Sequence, residues 1–232
     1  MTTAALIFDL DGTLVDTAPD LLNALNAVLA AEGRRAVDHA DLRHLVGFGA
    51  RVMMAQAFVM TGGPADPARI AGLIDGFLDH YRAHIADFSR PFPGVVRTLD
   101  VLKEEGARLG VLTNKPQEMS DLLLAALGLT HYFAAVFGQG KRPYTKPDAR
   151  IFADVVGEVG GAGLGALMIG DSLTDVETAR AAGVPVILLP YGYTPTPARE
   201  LGADAVVSEF CEIPAAVRRL LNRLDAPRPG AV

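Results

Sequence analysis

The chain has 232 residues, 50% of them hydrophobic, enough to bury a substantial core in one large domain or two modest ones. A formal net charge of −6 lacks the basic footprint of a nucleic-acid binder, and no apolar stretch approaches the roughly 20 uncharged residues of a membrane-spanning helix. The single cysteine, Cys211, cannot close an internal disulfide and reads as an ordinary semi-buried thiol, so the sequence predicts a cytoplasmic protein partnered by neither nucleic acid nor membrane.

The first apolar run, Ala4–Phe8, is too short for a signal peptide and stops at Asp9. A helical insertion follows. Thr17, with Asp20 three residues on and Pro19 early in the turn, marks a helix start; Leu21, Leu22, Leu25, Val28 and Leu29 recur at helical spacing, and Gly33 fits the stop. Further helices are predicted over 41–45, 50–60 and 67–86, before Pro91, Pro93 and Gly94 interrupt regular structure. Three more apolar runs stop at polar or turn residues: 109–112 at Thr113, 166–169 at Gly170 and Asp171, and 184–189 at Pro190.

Continuous apolar runs separated by helical stretches are how strands of a parallel sheet covered on both faces read. The expected fold is a doubly wound, Rossmann-like α/β core formed by residues 1–16 and 89–224. A small helical cap, 17–88, is inserted into it, with hinges near Asp16 and Pro91. Residues 225–232, rich in Pro, Gly and Ala, read as a disordered tail. In such sheets ligands sit beyond the carboxyl ends of the strands, where the polar residues after each run fall.

Asp9 and Asp11 are two carboxylates one residue apart at a strand end, and Gly12 permits the turn that lets both face one pocket. One carboxylate can attack phosphorus to form an acyl phosphate while the other protonates the leaving oxygen and later deprotonates water. A carboxylate near an anionic phosphate is repelled by about 4 kcal/mol per charge pair at about 4 Å and an effective dielectric near ~20, so cations are needed. Lys146 can supply one, and Asp171 can complete an oxygen-rich Mg²⁺ site with Asp9 and Asp11. Thr113 and Asn114 can donate to the remaining phosphoryl oxygens, and Asp175, with Ser172 beside it, fits a supporting role behind the ligands.

These four elements, Asp9 to Thr13, Thr113, Lys146 and Gly170 to Asp175, together resemble the signature of the haloacid dehalogenase superfamily. The resemblance implies Asp9 as nucleophile, Asp11 as general acid and base touching the metal through its backbone carbonyl, Thr113 and Lys146 as phosphoryl holders, and Asp171 as a Mg²⁺ ligand. The insertion looks like the superfamily's helical cap, which closes over small substrates. Asp11 sets the chain apart from dehalogenases, whose halide needs no proton, and the absence of any lysine before Lys103 sets it apart from hydrolases that use a cap lysine as a Schiff base.

Gly170, where mutase relatives carry Glu, favours simple phosphatases, and the Pro93-Gly94 junction, Lys115-Pro116 and the 45–51 stretch are similar to bacterial phosphoglycolate phosphatases. The implied substrate is a small phosphorylated metabolite, foremost 2-phosphoglycolate. Another sugar or acid phosphate, or a mutase reaction, stands second. A phospho-aspartate signalling module or a phosphate-binding relative is the non-enzyme alternative, and the oligomeric state is left open between monomer and homodimer. In the cap, Arg51 is the candidate reader of the substrate's own anion, with Gly47 and Gly49 letting the loop approach the active site. His80 and His84 lie one helical turn apart without the acidic partner of a zinc-binding helix.

Overall fold

The computed structural model describes residues 4–42, 45–46 and 49–225. The chain opens with β1 (Ala4–Phe8) and β2 (Val15–Asp16), then four helices, α1 (Ala18–Ala31), α2 (His39–Leu42), α3 (Ala50–Gly62) and α4 (Pro67–Ala83). It continues through β3 (Arg90–Pro91), α5 (Val95–Glu104), β4 (Arg108–Pro116), α6 (Gln117–Ala126), β5 (Ala135–Gln139), α7 (Ala149–Glu158) and β6 (Gly165–Gly170). The remainder holds α8 (Leu173–Ala182), β7 (Val186–Leu188), β8 (Ala205–Val206) and α9 (Ile213–Asp225). Among the described residues no helix is long and apolar enough to cross a membrane.

Six strands form one parallel sheet in the order β5-β4-β1-β6-β7-β8. The run at β1 is wholly apolar because both its faces are covered. Leu6 and Phe8 pack with residues of α5, α6 and α9, whereas Ala5 and Ile7 pack with residues of α7 and α8. After β5 the chain crosses back to the far side of β1, so the strand order reverses between β1 and β6. A crevice opens there at the carboxyl ends of the strands, which is where such sheets bind ligands.

The four-helix insertion has its own apolar cluster, in which Leu25, Met54, Phe58, Phe77 and Tyr81 are buried together with Met119 of α6. Its two connections to the core run side by side. β2 and β3 pair antiparallel, Val15 with Pro91 and Asp16 with Arg90, where the sequence predicts only a break. Thr17 precedes α1, but its hydroxyl makes no capping bond. The Asp20 carboxylate, fully buried, instead reaches across the connection and accepts from Phe88 N at 3.1 Å, Ser89 N at 2.8 Å and Ser89 Oγ at 2.6 Å. Asp20→Ala would leave the two buried Ser89 donors unpaired and is expected to lower stability by about 3 kcal/mol. An unchanged urea midpoint would contradict this.

Several boundaries differ from expectation. β4 runs past Thr113 to Pro116, and its register against β5 shifts between Leu112 and Pro116. β5 and β8 have short or mixed sequences that the apolar-run criterion passes over. α2 lies at 39–42 and α4 ends at Ala83. α9 extends through Asp225, and 226–232, the rest of the expected tail, lies outside the described residues. Cys211 is exposed beside Glu209 and is not semi-buried.

Candidate active site

Asp9 stands one residue beyond β1, its backbone N–H donating to Ile169 O at 2.9 Å so that the β1–β6 pairing continues to the crevice. Gly12, at φ 81°, turns the chain back, and its N–H donates to Val15 O at 2.9 Å. That turn buries Thr13, whose hydroxyl donates to Asp171 Oδ1 at 3.0 Å. Leu10 N donates to Asp9 Oδ1 at 2.7 Å, and Lys146 Nζ lies 2.9 Å from Asp9 Oδ2.

The same Lys146 ammonium donates to Asp175 Oδ1 at 2.7 Å. Asp175 sits in the first turn of α8, where its other oxygen accepts from Asp171 N, Ser172 N and Ser172 Oγ at 2.8 to 3.1 Å. Ser172 and Asp175 thus form a reciprocal cap on α8. Gly170 is confined to glycine because any Cβ there would overlap the Asp175 side chain. Asp171 Oδ2 accepts from Tyr193 N at 2.8 Å, and the Tyr193 hydroxyl donates to Asp16 Oδ1 at 2.6 Å while accepting from Thr17 N and Ala18 N.

Burial pushes Asp9 up to about 6, against the attraction of Lys146 and with help from Asp175. Asp171 is raised well above the usual carboxylate range by burial and by its neighbours Asp175 and Asp9. Burial works against the Lys146 ammonium, but Asp175 and Asp9 outweigh it and hold the group charged above the ordinary lysine range.

Asp11 turns away from this trio. Its Oδ1 accepts from Lys115 Nζ at 2.9 Å, and Lys115 Nζ also donates to the Tyr81 hydroxyl of α4 at 2.7 Å. Burial opposes the Lys115 charge, but Asp11 foremost and Tyr81 with it more than offset that, leaving the pKa above the ordinary lysine range. Thr113 and Lys115 are buried while Asn114 and Pro116 are less so, the period-two alternation of a strand. Asn114 faces Lys146, its Oδ1 accepting from Lys146 N at 3.1 Å and its Nδ2 donating to Lys146 O at 3.3 Å. The carboxamide expected to meet phosphoryl oxygens therefore grips the Lys146 backbone.

Asp9, Asp11, Thr113, Asn114, Lys146, Asp171 and Ser172 line one cavity of about 70 Å³ between the core and the four-helix insertion. Gly49, at φ 87°, lines it as well, and a Cβ there would stand 3.9 Å from Asn114 O. Gly47 lies outside the described residues. Arg51 is not brought to the cavity: it is exposed on the first turn of α3, whereas Ala50 and Met53 of that helix do line the space. Lys141 and Arg142 are engaged with Glu158 and Asp154 on the surface. His84 pairs with Asp87 beside the half-buried ring of His80.

The residues present fit a magnesium ion. Oxygens of Asp9, Asp171 and Asp175 lie within 4.8 Å of one another. Four carboxylates, Asp9, Asp11, Asp171 and Asp175, face two ammonium groups, Lys115 and Lys146, which leaves two negative charges for a divalent cation to offset. The floor beneath Asp171 is backbone alone, since a Cβ on Gly12 would come within 2.8 Å of its Oδ2 and one on Gly192 would overlap the carboxylate.

The sequence pattern of the haloacid dehalogenase-like hydrolases matches residues 6–189. The phosphoglycolate phosphatase of Caulobacter vibrioides is 47% identical over 98% of this chain and 96% of its own, and that of Agrobacterium fabrum is 44% identical over 94% of each. The crystal structure of a predicted phosphoglycolate phosphatase from Haemophilus somnus superposes with a TM-score of 0.86 at 29% identity, covering 94% of this chain and 99% of that one. The chain belongs to the haloacid dehalogenase-like hydrolase family.

Four residues of the site receive no role of their own in the sequence reading. Thr13 is only part of a motif, and Tyr193 lies in the loop after β7, where no apolar period flags it. Tyr81 shares its helical stripe with Ile70 and Phe77 and so reads as core. Lys115 could have been found, because a strand running past Thr113 places residues 113 and 115 on the same face.

Proposed function

We propose that the chain is a phosphomonoesterase that hydrolyses a small phosphorylated metabolite, 2-phosphoglycolate foremost, through an aspartyl-phosphate on Asp9. The observation that carries this is a carboxylate at the tip of the central strand, 2.9 Å from a buried lysine and beside a second buried carboxylate, Asp171. The names and high identity of the relatives support the substrate.

In this reading an Asp9 oxygen forms a bond to phosphorus as the ester P–O bond breaks, and Asp11 gives its proton to the departing oxygen. Water then attacks the same phosphorus while Asp11 takes a proton back. The Asp9–phosphorus bond breaks, and inorganic phosphate and the free carboxylate are regenerated. Lys146 offsets the charge shared between Asp9 and the phosphoryl group, Thr113 donates to a phosphoryl oxygen, and Asn114 holds Lys146 in place. Asp175, with Ser172, fixes Lys146 and the backbone of Asp171. Asp9, Asp171 and the Asp11 carbonyl would hold Mg²⁺, which supplies positive charge against the repulsion between carboxylate and phosphate.

Residues 17–88 act as a cap over the core formed by 1–16 and 89–224, with the β2–β3 crossing as its hinge. The free thiol of Cys211 accords with a reducing compartment, and we assign the reaction to the cytoplasm. Attack requires ionised Asp9, so activity falls as pH drops through the Asp9 pKa. Without a bound cation that value is about 6, and a dication favours the carboxylate and lowers it. With an aryl phosphate as substrate, the acid limb of kcat/KM is expected to move to lower pH as Mg²⁺ rises from limiting to saturating. Activity indifferent to chelation, or a limb that moves upward, would overturn the magnesium assignment.

A further inference from the structure

Lys115 is a buried ammonium with no task in phosphoryl transfer as set out above, where Lys146 serves the phosphoryl end. Among the described residues lining the cavity these two lysines are the only side chains of permanent positive charge. The insertion's share of the wall is largely apolar, with Leu21, Val46, Met53 and Phe77 contributing. A second anionic group on a bound substrate therefore meets Lys115 or goes unpaired in a desolvated space, which is costly.

We propose that Lys115, together with the Tyr81 hydroxyl, is the specificity site for the carboxylate of a short acid phosphate. This rests on the phosphatase reading of the same cavity. Lys115 Nζ is 2.9 Å from Asp11 Oδ1, so the group that reads the substrate is a direct neighbour of the group that protonates its ester oxygen. A carboxylate on the carbon next to that oxygen suits so close a pair, and one several carbons away does not. On binding, the substrate carboxylate replaces Asp11 as the partner of Lys115. One buried ion pair is exchanged for another, and Asp11, freed from Lys115, takes up a proton from solvent and turns toward the leaving oxygen. A substrate without that carboxylate leaves Asp11 tied to Lys115. Tyr81 brings the insertion into the same contact, since its hydroxyl lies 2.7 Å from Lys115 Nζ and it belongs to α4.

The test compares 2-phosphoglycolate with 2-hydroxyethyl phosphate, which keeps the length and the phosphate but loses the carboxylate charge, in the full chain with Mg²⁺. The readout is the ratio of their kcat/KM values. Lys115→Met is expected to lower that ratio by about 30-fold or more, the range seen on truncating one partner of a buried charge pair. Tyr81→Phe, an isosteric change that keeps the readout available should Lys115→Met not fold, is expected to lower it roughly threefold or more. A lysine that served only to position Asp11 would slow both esters alike and leave the ratio where it was. Wild-type protein that turns over neither ester removes the phosphatase reading itself. Wild-type protein that turns over both equally, or a ratio unmoved in both variants, overturns the Lys115 assignment alone.

Discussion

Asp9→Asn is expected to abolish multiple turnover of 2-phosphoglycolate and of an aryl phosphate alike, by on the order of 10⁴-fold or more, the scale on which loss of a covalent nucleophile registers. The amide has the shape of the carboxylate, and Leu10 N can still donate to its oxygen as it does to Asp9 Oδ1 at 2.7 Å. The fold should survive for an electrostatic reason as well. Burial raises the Asp9 carboxyl to about 6 from an ordinary 3.8, so at pH 7.5 the ionised group weighs against folding in the metal-free protein. A neutral residue relieves that, and the metal-free variant should unfold at the same temperature as the parent or above it. Appreciable turnover by Asp9→Asn would remove the aspartyl-phosphate route, and a single stable phosphorylation of the parent would point to a signalling module instead.

For Lys146→Met we expect two separable losses. Lys146 Nζ lies 2.7 Å from Asp175 and 2.9 Å from Asp9, at 5% residue exposure. Removing it leaves two buried carboxylates facing each other without a counter-charge, at a cost of about 3 to 5 kcal/mol. It also removes the ammonium that offsets the approach of an anionic phosphate, and kcat/KM should fall about 10³-fold, in keeping with the loss of one preorganised electrostatic contact. The double variant Lys146→Met with Asp175→Asn distinguishes the two. Stability should return in part because one of the two stranded charges is gone, and activity should not. Restored activity would mean that Lys146 serves only to neutralise Asp175.

The placement of the crevice's residues was legible in the sequence wherever a polar residue ends an apolar run. Asp9, Thr113 and Asp171 each follow such a run, and the parallel sheet brings their strand ends into one line. What escaped was set by contacts between segments far apart. Nothing near Arg51 reveals that its turn of α3 faces outward while Ala50 and Met53 face in, because that depends on how the four-helix cluster seats on the core. Asn114 looks like a donor beside Thr113, yet strand alternation turns it to the Lys146 backbone. Asp20 fits a local helix-start pattern with Thr17, but a pair of backbone amides at 88 and 89 competes for its carboxylate and wins. β2 and β3, two residues each, carry no periodic signal at all, and only their partner makes them strands.

The position of β1 in the sheet bears on how the protein is made. Its neighbours are β4 and β6, so this strand, synthesised before both of them, finds its second partner only when residues 165–170 have been made. Until then its apolar faces and one edge lie open, and such distant pairings form slowly. The Asp9 carboxylate, which depends on β6 for its placement, can acquire its surroundings only late in synthesis. A nascent chain halted before β6 is therefore an incomplete sheet in need of protection, not a weak version of the finished catalyst.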